Sequence, residues 1–237
     1  MEDVTYPNRL DMKKGKLSIV VVACFIAVCC KSKKENVSYY QAEAQKNLQK
    51  ESYLKAFENI NSALSIDSSD CNSYIIRGKI EARIDSNNQA LKDFDAALYY
   101  DNTNTIAFFN KGKIFYFMEK YDSAELYLFK AISSKSTKDF YIDYSSVEGD
   151  SEPLLDVPFS EIKYYLALTQ YDQRKFTLAF SNFKFCQQNN FDLQDVYLYI
   201  GNIYLLYKNK DSSCVYLKKS YFLGNIDAKK FIDKYCN

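Results

Sequence analysis

Residues 71–104 read CNSYIIRGKIEARIDSNNQALKDFDAALYYDNTN, and residues 105–138 read TIAFFNKGKIFYFMEKYDSAELYLFKAISSKSTK. The second segment repeats the small residues of the first in phase, so that Gly78 recurs as Gly112, 34 positions later. The same offset relates Ala90 to Ala124, Ala97 to Ala131, and Phe94 to Leu128. A constant interval of this length, with helical spacing inside each period, predicts a solenoid of helix-turn-helix units.

Close packing of two antiparallel helices explains why small residues recur at fixed offsets. A glycine at position 78 or 112 lets the second helix of the unit approach, and the alanines on that second helix do the same from the other side. Large side chains such as Phe94 fill the remaining volume. One unit cannot bury its apolar face alone, so several units must stack.

The pattern resembles the tetratricopeptide repeat (TPR) family. In that family a large aromatic residue and a glycine lie on the first helix, and an alanine, an aromatic residue and a second alanine lie on the second. Residues 71–104 match with Tyr74, Gly78, Ala90, Phe94 and Ala97. The resemblance implies an all-α, right-handed superhelical solenoid that binds a protein or peptide partner and performs no chemistry.

The same phase extends in both directions and indicates about five repeats with one interruption. Repeats one to three span residues 37–138, repeats four and five span residues 160–226, and residues 227–237 are predicted to form a capping helix. The interruption, residues 139–159, contains two prolines, one glycine and six carboxylates but no lysine or arginine. Gly201 follows Gly112 by two periods plus the length of this interruption, so we expect an acidic insertion loop that preserves the phase on either side.

The C-terminal segment is predicted to close the solenoid as one amphipathic helix. Gly224 is positioned to end the helix before it. Apolar residues then recur at i, i+3, i+4 and i+7, namely Ala228, Phe231, Ile232 and Tyr235. Charged residues lie opposite, which gives the polar outer face that a solenoid terminus requires.

The N-terminus indicates export. Residues 12–29 combine three lysines with most of an apolar run, Leu17–Cys30. This run is shorter than the roughly 20 residues that span a bilayer and is typical of a signal-peptide core. Residues 1–11 are polar and do not resemble a signal start, so we treat them as an extension outside the fold.

The end of the apolar run, IAVCC, resembles a bacterial lipobox, in which cleavage precedes a lipidated cysteine. The resemblance implies lipidation at Cys30, a tether at residues 30–36 and a chain anchored in the bacterial cell envelope. Cys29 is a departure from the motif, because glycine, alanine or serine usually stands there. Two alternatives therefore stay open: Cys29 as the acceptor, and an uncleaved anchor helix.

Composition argues against several functional classes. The chain has no histidine, which removes the commonest general base and the commonest transition-metal ligand. Its formal net charge is +1, so there is no general argument for nucleic-acid binding. None of the six glycines lies in a phosphate-binding loop. We therefore expect neither catalysis nor a cofactor.

The cysteines of the exported part, Cys71, Cys186, Cys214 and Cys236, form no C-x-x-C pair, so zinc is not indicated. Cys186 occupies an alanine position of the repeat and is expected in the core. Cys214 and Cys236 lie on the last two helices, where a single disulfide is conceivable.

Calcium is a weaker possibility for the insertion, which offers carboxylate ligands at Asp143, Glu148, Asp150 and Glu152. Their spacing matches no EF-hand loop. We therefore interpret the insertion as a solvated loop or one that covers the groove.

In the family, first helices line a concave groove that accepts an extended peptide or a helix. The corresponding offsets in this chain select Ile75, Ile76, Lys79, Arg83, Phe109, Asn110, Lys113, Tyr116, Phe117, Tyr164, Tyr165, Leu168, Tyr171, Tyr199, Asn202 and Leu206. Many are aromatic, and such residues supply binding hot spots. Some of these rings could instead pack against neighbouring helices or the insertion. Gln41 and Gln45, in the groove of the first repeat, are uncharged, so a clamp for a C-terminal carboxylate is not favoured.

The leading interpretation is a membrane-anchored scaffold that serves as an assembly or accessory factor of the envelope. Two other classes fit the same sequence: a structural subunit that forms oligomers, and an immunity or inhibitor lipoprotein that sequesters a toxin.

Overall fold

The computed structural model describes residues 32–134 and 157–236, and within these ranges the chain forms eleven α-helices and no strand. They are α1 (32–49), α2 (Tyr53–Ile66), α3 (Cys71–Arg83), α4 (Asn87–Tyr100), α5 (Thr105–Phe117), α6 (Tyr121–Ser134), α7 (Phe159–Asp172), α8 (Phe176–Gln188), α9 (Leu193–Leu206), α10 (Lys210–Phe222) and α11 (Asp227–Tyr235). The N-terminal extension, the signal peptide, Cys30 and most of the insertion lie outside the described residues.

The helices are arranged as consecutive antiparallel pairs. The first partners of the pairs are α1, α3, α5, α7 and α9, and each packs against the helix that follows it. Each pair then packs on the next, as α6 does on α7 and α8 on α9, while α11 packs on α10. The predicted all-α solenoid is confirmed.

The repeated glycines lie where paired helices approach most closely. A Cβ atom added at Gly78 would lie 2.9 Å from two ring atoms of Phe94. The equivalent distances are 2.8 Å from Gly112 to Leu128 Cγ and 2.8 Å from Gly201 to Leu217 Cγ. Real Cβ atoms do not approach other atoms so closely, so only glycine fits without movement of its neighbour.

The alanine positions of the second helices are fully buried. They are Ala56, Ala63, Ala90, Ala97, Ala124, Ala131 and Ala179, with Cys186, Ser213 and Ser220 at equivalent positions of the last two repeats. Ser220 donates a hydrogen bond to the Gln194 carbonyl at 2.7 Å, so its hydroxyl is satisfied. The Ser213 hydroxyl has no partner among the described residues, whereas the alanines at the equivalent inner positions have no polar side-chain atom to satisfy.

The turn inside each pair contains a residue with positive φ, which the sequence does not predict. Glu51, Asp85, Glu119, Arg174 and Lys208 all have φ between 55° and 59°. They recur at the same interval as the glycines, lengthened only across the insertion, so they share the phase of the repeat. This left-handed conformation favours glycine, yet no glycine stands at any of the five positions.

Two boundaries differ from those expected. Residues 32–36, which were predicted to be part of a tether, belong to α1 and are exposed. Helix α7 begins at Phe159, and Val157 before it is only 4% exposed, so the end of the insertion packs against the core. A hydrophobic residue directly before a proline and a helix start explains this, because Val157 can pack while Pro158 sets the helix entry.

The C-terminal helix is fixed covalently. A disulfide joins Cys214 of α10 to Cys236 with a Cα–Cα distance of 5.6 Å. Ala228 of α11 is fully buried, and Lys229 and Lys230 are exposed. Gly224, with φ of 105°, ends α10 as expected.

A buried ionic network joins α2, α3 and α4. Arg77 donates two hydrogen bonds to the Asp93 carboxylate, at 2.7 and 2.8 Å, and a third to Asn61 Oδ1 at 3.0 Å. Glu81 is 9% exposed, and its Oε2 atom has no hydrogen-bond partner among the described residues. Burial, then the nearby Asp93 charge, raises the pKa of Glu81 to about 7.

Candidate functional site

A cleft of about 720 Å³ opens along α3, α5 and the start of α7. It is lined by Lys79, Ala82, Arg83, Asp85, Asn87, Phe109, Asn110, Lys113, Ile114, Phe117, Val157, Pro158, Glu161, Tyr165 and Phe191. The size suits a few side chains of an extended peptide. First helices of three successive repeats form most of its wall because stacking places them side by side.

Seven of the residues selected from the sequence line this cleft: Lys79, Arg83, Phe109, Asn110, Lys113, Phe117 and Tyr165. Phe109 contributes to the wall although it is only 3% exposed. Phe117, in contrast, is 66% exposed and is free to contact a partner. The cleft therefore combines a fixed wall with at least one large apolar side chain at its mouth.

The centre of the cleft is a cluster of rings around Tyr165. The ring centroid of Tyr165 lies 5.7 Å from that of Phe109 and 6.1 Å from those of Tyr116 and Phe117. Edge-to-face contacts of this kind hold rings in fixed orientations. The ammonium group of Lys113 lies 4.6 Å from the centroid of the Tyr165 ring.

Charge at the cleft is mixed. Lys113 Nζ lies 3.4 Å from Glu161 Oε1, and both side chains are partly buried. Lys79 and the exposed Arg83 extend from the end of α3, and Asp85 follows in the turn. The lining thus combines four aromatic side chains with charged and amide groups that would orient a bound segment.

Other selected residues lie beneath the surface. Ile75 and Ile76 are fully buried, and Tyr164 and Leu168 are less than 9% exposed. Ile75 belongs to the core between the second and third pairs, whereas Ile76 packs with the first pair. Both are covered because the first helix of an inner repeat has helices on three sides.

The remaining selected residues lie on α5, α7 and α9. Tyr116, Tyr171, Tyr199 and Asn202 are half-buried, and Leu206 is exposed. None of these residues lines the cleft itself.

Burial is the main reason that the pKa values of these tyrosines are raised. The pKa of Tyr199 rises to about 12, with a further contribution from the Asp172 carboxylate. The pKa of Tyr116 is raised for the same two reasons. These phenols are therefore neutral donors at physiological pH.

Sequence offsets missed the parts of the cleft that lie outside first helices. Val157 and Pro158 come from the end of the insertion, and Phe191 comes from the turn before α9. Asp85 lies in the turn between α3 and α4, and Asn87 is the first residue of α4. Among these missed residues, Val157 and Phe191 have a signal in the sequence, because each is an apolar residue at the edge of an otherwise polar turn.

The described residues offer little for redox, metal or nucleophilic chemistry. Within 32–134 and 157–236 no group of histidine, cysteine, aspartate and glutamate side chains could hold a metal ion. Burial raises the pKa of Cys71 to about 11 and that of Cys186 to about 12, so both thiols stay protonated. Over the same ranges no helix has the length and apolar character needed to span a bilayer.

The architecture is that of a TPR solenoid, and solved structures of such proteins resemble it. PilF of Pseudomonas aeruginosa is 19% identical, with a TM-score of 0.67, over 81% of this chain and 78% of PilF. YrrB, a TPR protein with an unusual peptide-binding site, is 18% identical, with a TM-score of 0.61, over 88% of this chain and 97% of YrrB. PilW, a type IV pilus biogenesis factor, is 16% identical, with a TM-score of 0.62, over 81% of this chain and 88% of PilW.

At this level of identity the similarity establishes the fold alone. No protein-family model matches the chain. Comparison with curated protein sequences finds no match either.

Proposed function

We propose that this chain is a non-enzymatic scaffold that binds an extended segment of a protein partner in the cleft formed by α3, α5 and α7. The observation that carries the proposal is the exposed Phe117 beside the fixed rings of Phe109 and Tyr165 in a cleft of about 720 Å³. Large aromatic side chains held in place contribute strongly to binding because little conformational entropy is lost.

The descriptions of two structurally similar proteins suggest what kind of partner this chain binds. YrrB is described as having a peptide-binding site, and PilW is described as a pilus biogenesis factor. By analogy with these proteins, we propose that the partner is a component of an envelope assembly and that this chain acts as an assembly or accessory factor.

We further propose that the chain is exported and held at the bacterial envelope by a lipid on Cys30. The lipobox-like end of the apolar run supports this placement. The Cys214–Cys236 disulfide supports export, because disulfides persist in oxidising compartments and are rare in the cytosol. Replacement of Cys30 by alanine should release the chain from the membrane fraction or leave it unprocessed; lipid labelling that persists would show that another cysteine is the acceptor.

One observation favours a second candidate function, a structural subunit that forms oligomers. Phe222, the last residue of α10, is 88% exposed, and Ile226, in the turn that follows, is 77% exposed. Sedimentation of the parent and of Phe222→Ala would test it. A parent that is monomeric at micromolar concentration would remove this candidate.

Affinity capture from an envelope extract tests the leading proposal. The parent, Phe117→Ala and Phe222→Ala are compared by quantitative mass spectrometry. Phe117 and Phe222 are both exposed phenylalanines, so each substitution should leave the fold intact, but only Phe117 lines the cleft. We expect at least one protein that is retained by the parent and by Phe222→Ala and depleted about tenfold with Phe117→Ala. Equal capture by all three would contradict the proposal.

A further inference from the structure

One carboxylate near the cleft lies close to several tyrosine side chains. Asp172, the last residue of α7, is exposed, and the Tyr116 hydroxyl lies close enough to affect the pKa of its carboxyl group. Tyr121, Tyr171 and Tyr199 also lie close enough to interact with its charge. The ring centroids of Tyr171 and Tyr199 are 5.0 Å apart, and those of Tyr116 and Tyr121 are 6.1 Å apart.

Asp172 has no cationic partner within the part of the chain that the structure describes. Among residues 32–134 and 157–236, no lysine or arginine lies within ion-pair distance of Asp172, and none influences its pKa. Partial burial raises that pKa, the nearby Tyr116 hydroxyl lowers it, and the carboxylate of Glu119 raises it. Among the charged side chains of the described residues, the one that contributes to this pKa is therefore the Glu119 carboxylate.

A nearby acidic residue shows the contrast. Glu125 lies on α6, and its carboxylate is hydrogen-bonded by Lys175 at 2.5 Å and by Gln170 at 3.1 Å. Burial alone would raise the pKa of Glu125, but these hydrogen bonds lower it. The Glu125 carboxylate is thus paired with Lys175, whereas the part of the chain that the structure describes supplies no ion pair to Asp172.

Phenol faces combined with a carboxylate are a suitable environment for a cationic side chain. A lysine or arginine gains from the negative faces of aromatic rings and from charge-assisted hydrogen bonds to a carboxylate. Because the Tyr116 and Tyr199 phenols remain neutral, they keep their ring faces and hydroxyl donors at any physiological pH. The four tyrosines and Asp172 therefore have the complementary charge for a basic side chain.

Tyr116 connects this group to the cleft. Its ring centroid lies 5.5 Å from that of Phe117 and 6.1 Å from that of Tyr165, and both of these residues line the cleft. We propose that Asp172 and the tyrosines around it bind a lysine or arginine side chain of the same segment whose apolar side chains occupy the cleft. The inference rests on the proposed function and adds the chemical class of the partner: an apolar residue with a basic residue a few positions away.

A peptide selection tests the inference. A displayed library of short random peptides is selected in parallel against the parent, Asp172→Asn, Asp172→Lys and Phe117→Ala, with Asp211→Asn as a control at an exposed carboxylate of α10. Asp172 is exposed, so its variants should fold, which circular dichroism checks. We expect peptides that depend on Phe117 to be enriched in lysine or arginine at a fixed distance from an apolar residue. Asp172→Asn should lose the basic preference, Asp172→Lys should replace it with an acidic one, and Asp211→Asn should retain it.

Two outcomes would overturn the inference and leave the proposed function standing: apolar enrichment without basic enrichment, and basic enrichment that persists in both Asp172 variants. If no peptide is enriched on the parent relative to Phe117→Ala, the proposed function fails and the inference fails with it.

Affinity measurements sharpen the test. One selected peptide is synthesised with arginine or with citrulline, which has a similar shape but no charge. We expect the citrulline peptide to bind the parent about tenfold more weakly, as loss of one charge-assisted contact predicts. Against Asp172→Asn the two peptides should differ less than twofold. If citrulline weakens binding equally in the parent and in Asp172→Asn, the basic side chain does not contact Asp172.

Discussion

At the scale of single residues, the regular spacing of small residues was the main basis for predicting which residues pack together. The structure places Gly78, Gly112 and Gly201 against large side chains of the paired helix, as their period predicted. The left-handed turns were not predictable in the same way, since Asp85 and Lys208 have no sequence feature that demands a positive φ. A position that needs a small side chain can be recognised from the residue type. A strained backbone conformation that the surrounding structure enforces cannot.

Gly112→Ala tests close packing at one site. The new Cβ would lie 2.8 Å from Leu128 Cγ, so the helices must separate or Leu128 must move. We expect the free energy of unfolding to fall by about 1–3 kcal/mol in urea titrations. Lys92→Ala, at an exposed position of α4, serves as the control and should change stability by less than about 0.5 kcal/mol. A neutral Gly112→Ala would argue against the helix contact described above.

Glu81 predicts a dependence of stability on pH. Its folded pKa is raised to about 7, above the ordinary value of 4.5, so the folded state holds this proton more tightly than the unfolded state does. The stability that Glu81 contributes is therefore complete below pH 4.5, declines between pH 4.5 and 7, and is lost above pH 7. Glu81→Gln cannot ionise and should be more stable than the parent at pH 8, by roughly 1–3 kcal/mol.

Urea unfolding at pH 4.5, 6 and 8 checks this prediction. The advantage of Glu81→Gln should shrink towards zero at pH 4.5. Glu58→Gln, at an exposed position of α2, should follow the parent at every pH. If Glu81→Gln shows the same pH dependence as the parent, Glu81 ionises normally in the folded chain.

At the scale of helices, the paired elements followed from the phase of the repeat, but the ends depended on local packing. The tether predicted before Val37 is partly helix α1, because nothing in residues 32–36 stops a helix. The cleft was only partly predictable, since Phe191 and Pro158 enter it from turns. Offsets taken from first helices cannot locate residues whose position depends on how successive repeats are oriented.

The Cys214–Cys236 disulfide should stabilise α11. It closes a loop with a sequence separation of 22, and loops of this size contribute about 3 kcal/mol. We expect Cys214→Ser/Cys236→Ser to melt earlier than the oxidised parent and to be unaffected by reductant. The reduced parent should resemble the variant. A parent whose melting temperature is the same with and without reductant would contradict a contribution from this disulfide.

At the scale of the whole molecule, the stacked pairs align the ends of their first helices into one row. Arg83, Phe117, Asp172 and Leu206 are each the last residue of their helix, and all four are exposed. They follow one another at the interval of the repeat, lengthened once by the insertion, so they occupy equivalent positions in successive repeats. Its first two members, Arg83 and Phe117, line the cleft, and its third, Asp172, belongs to the tyrosine group. We expect the partner to lie along this row.

Site-specific photo-crosslinking in cells tests this account most directly. A photoreactive phenylalanine is introduced at each position of the row and, for comparison, at Asp95, Phe129 and Lys218, which are exposed on second helices. The account predicts that positions 83, 117 and 172 crosslink to one and the same protein, and that positions 95, 129 and 218 do not. Crosslinking to that protein only from the second helices, or equally from both sets, would contradict binding in the cleft.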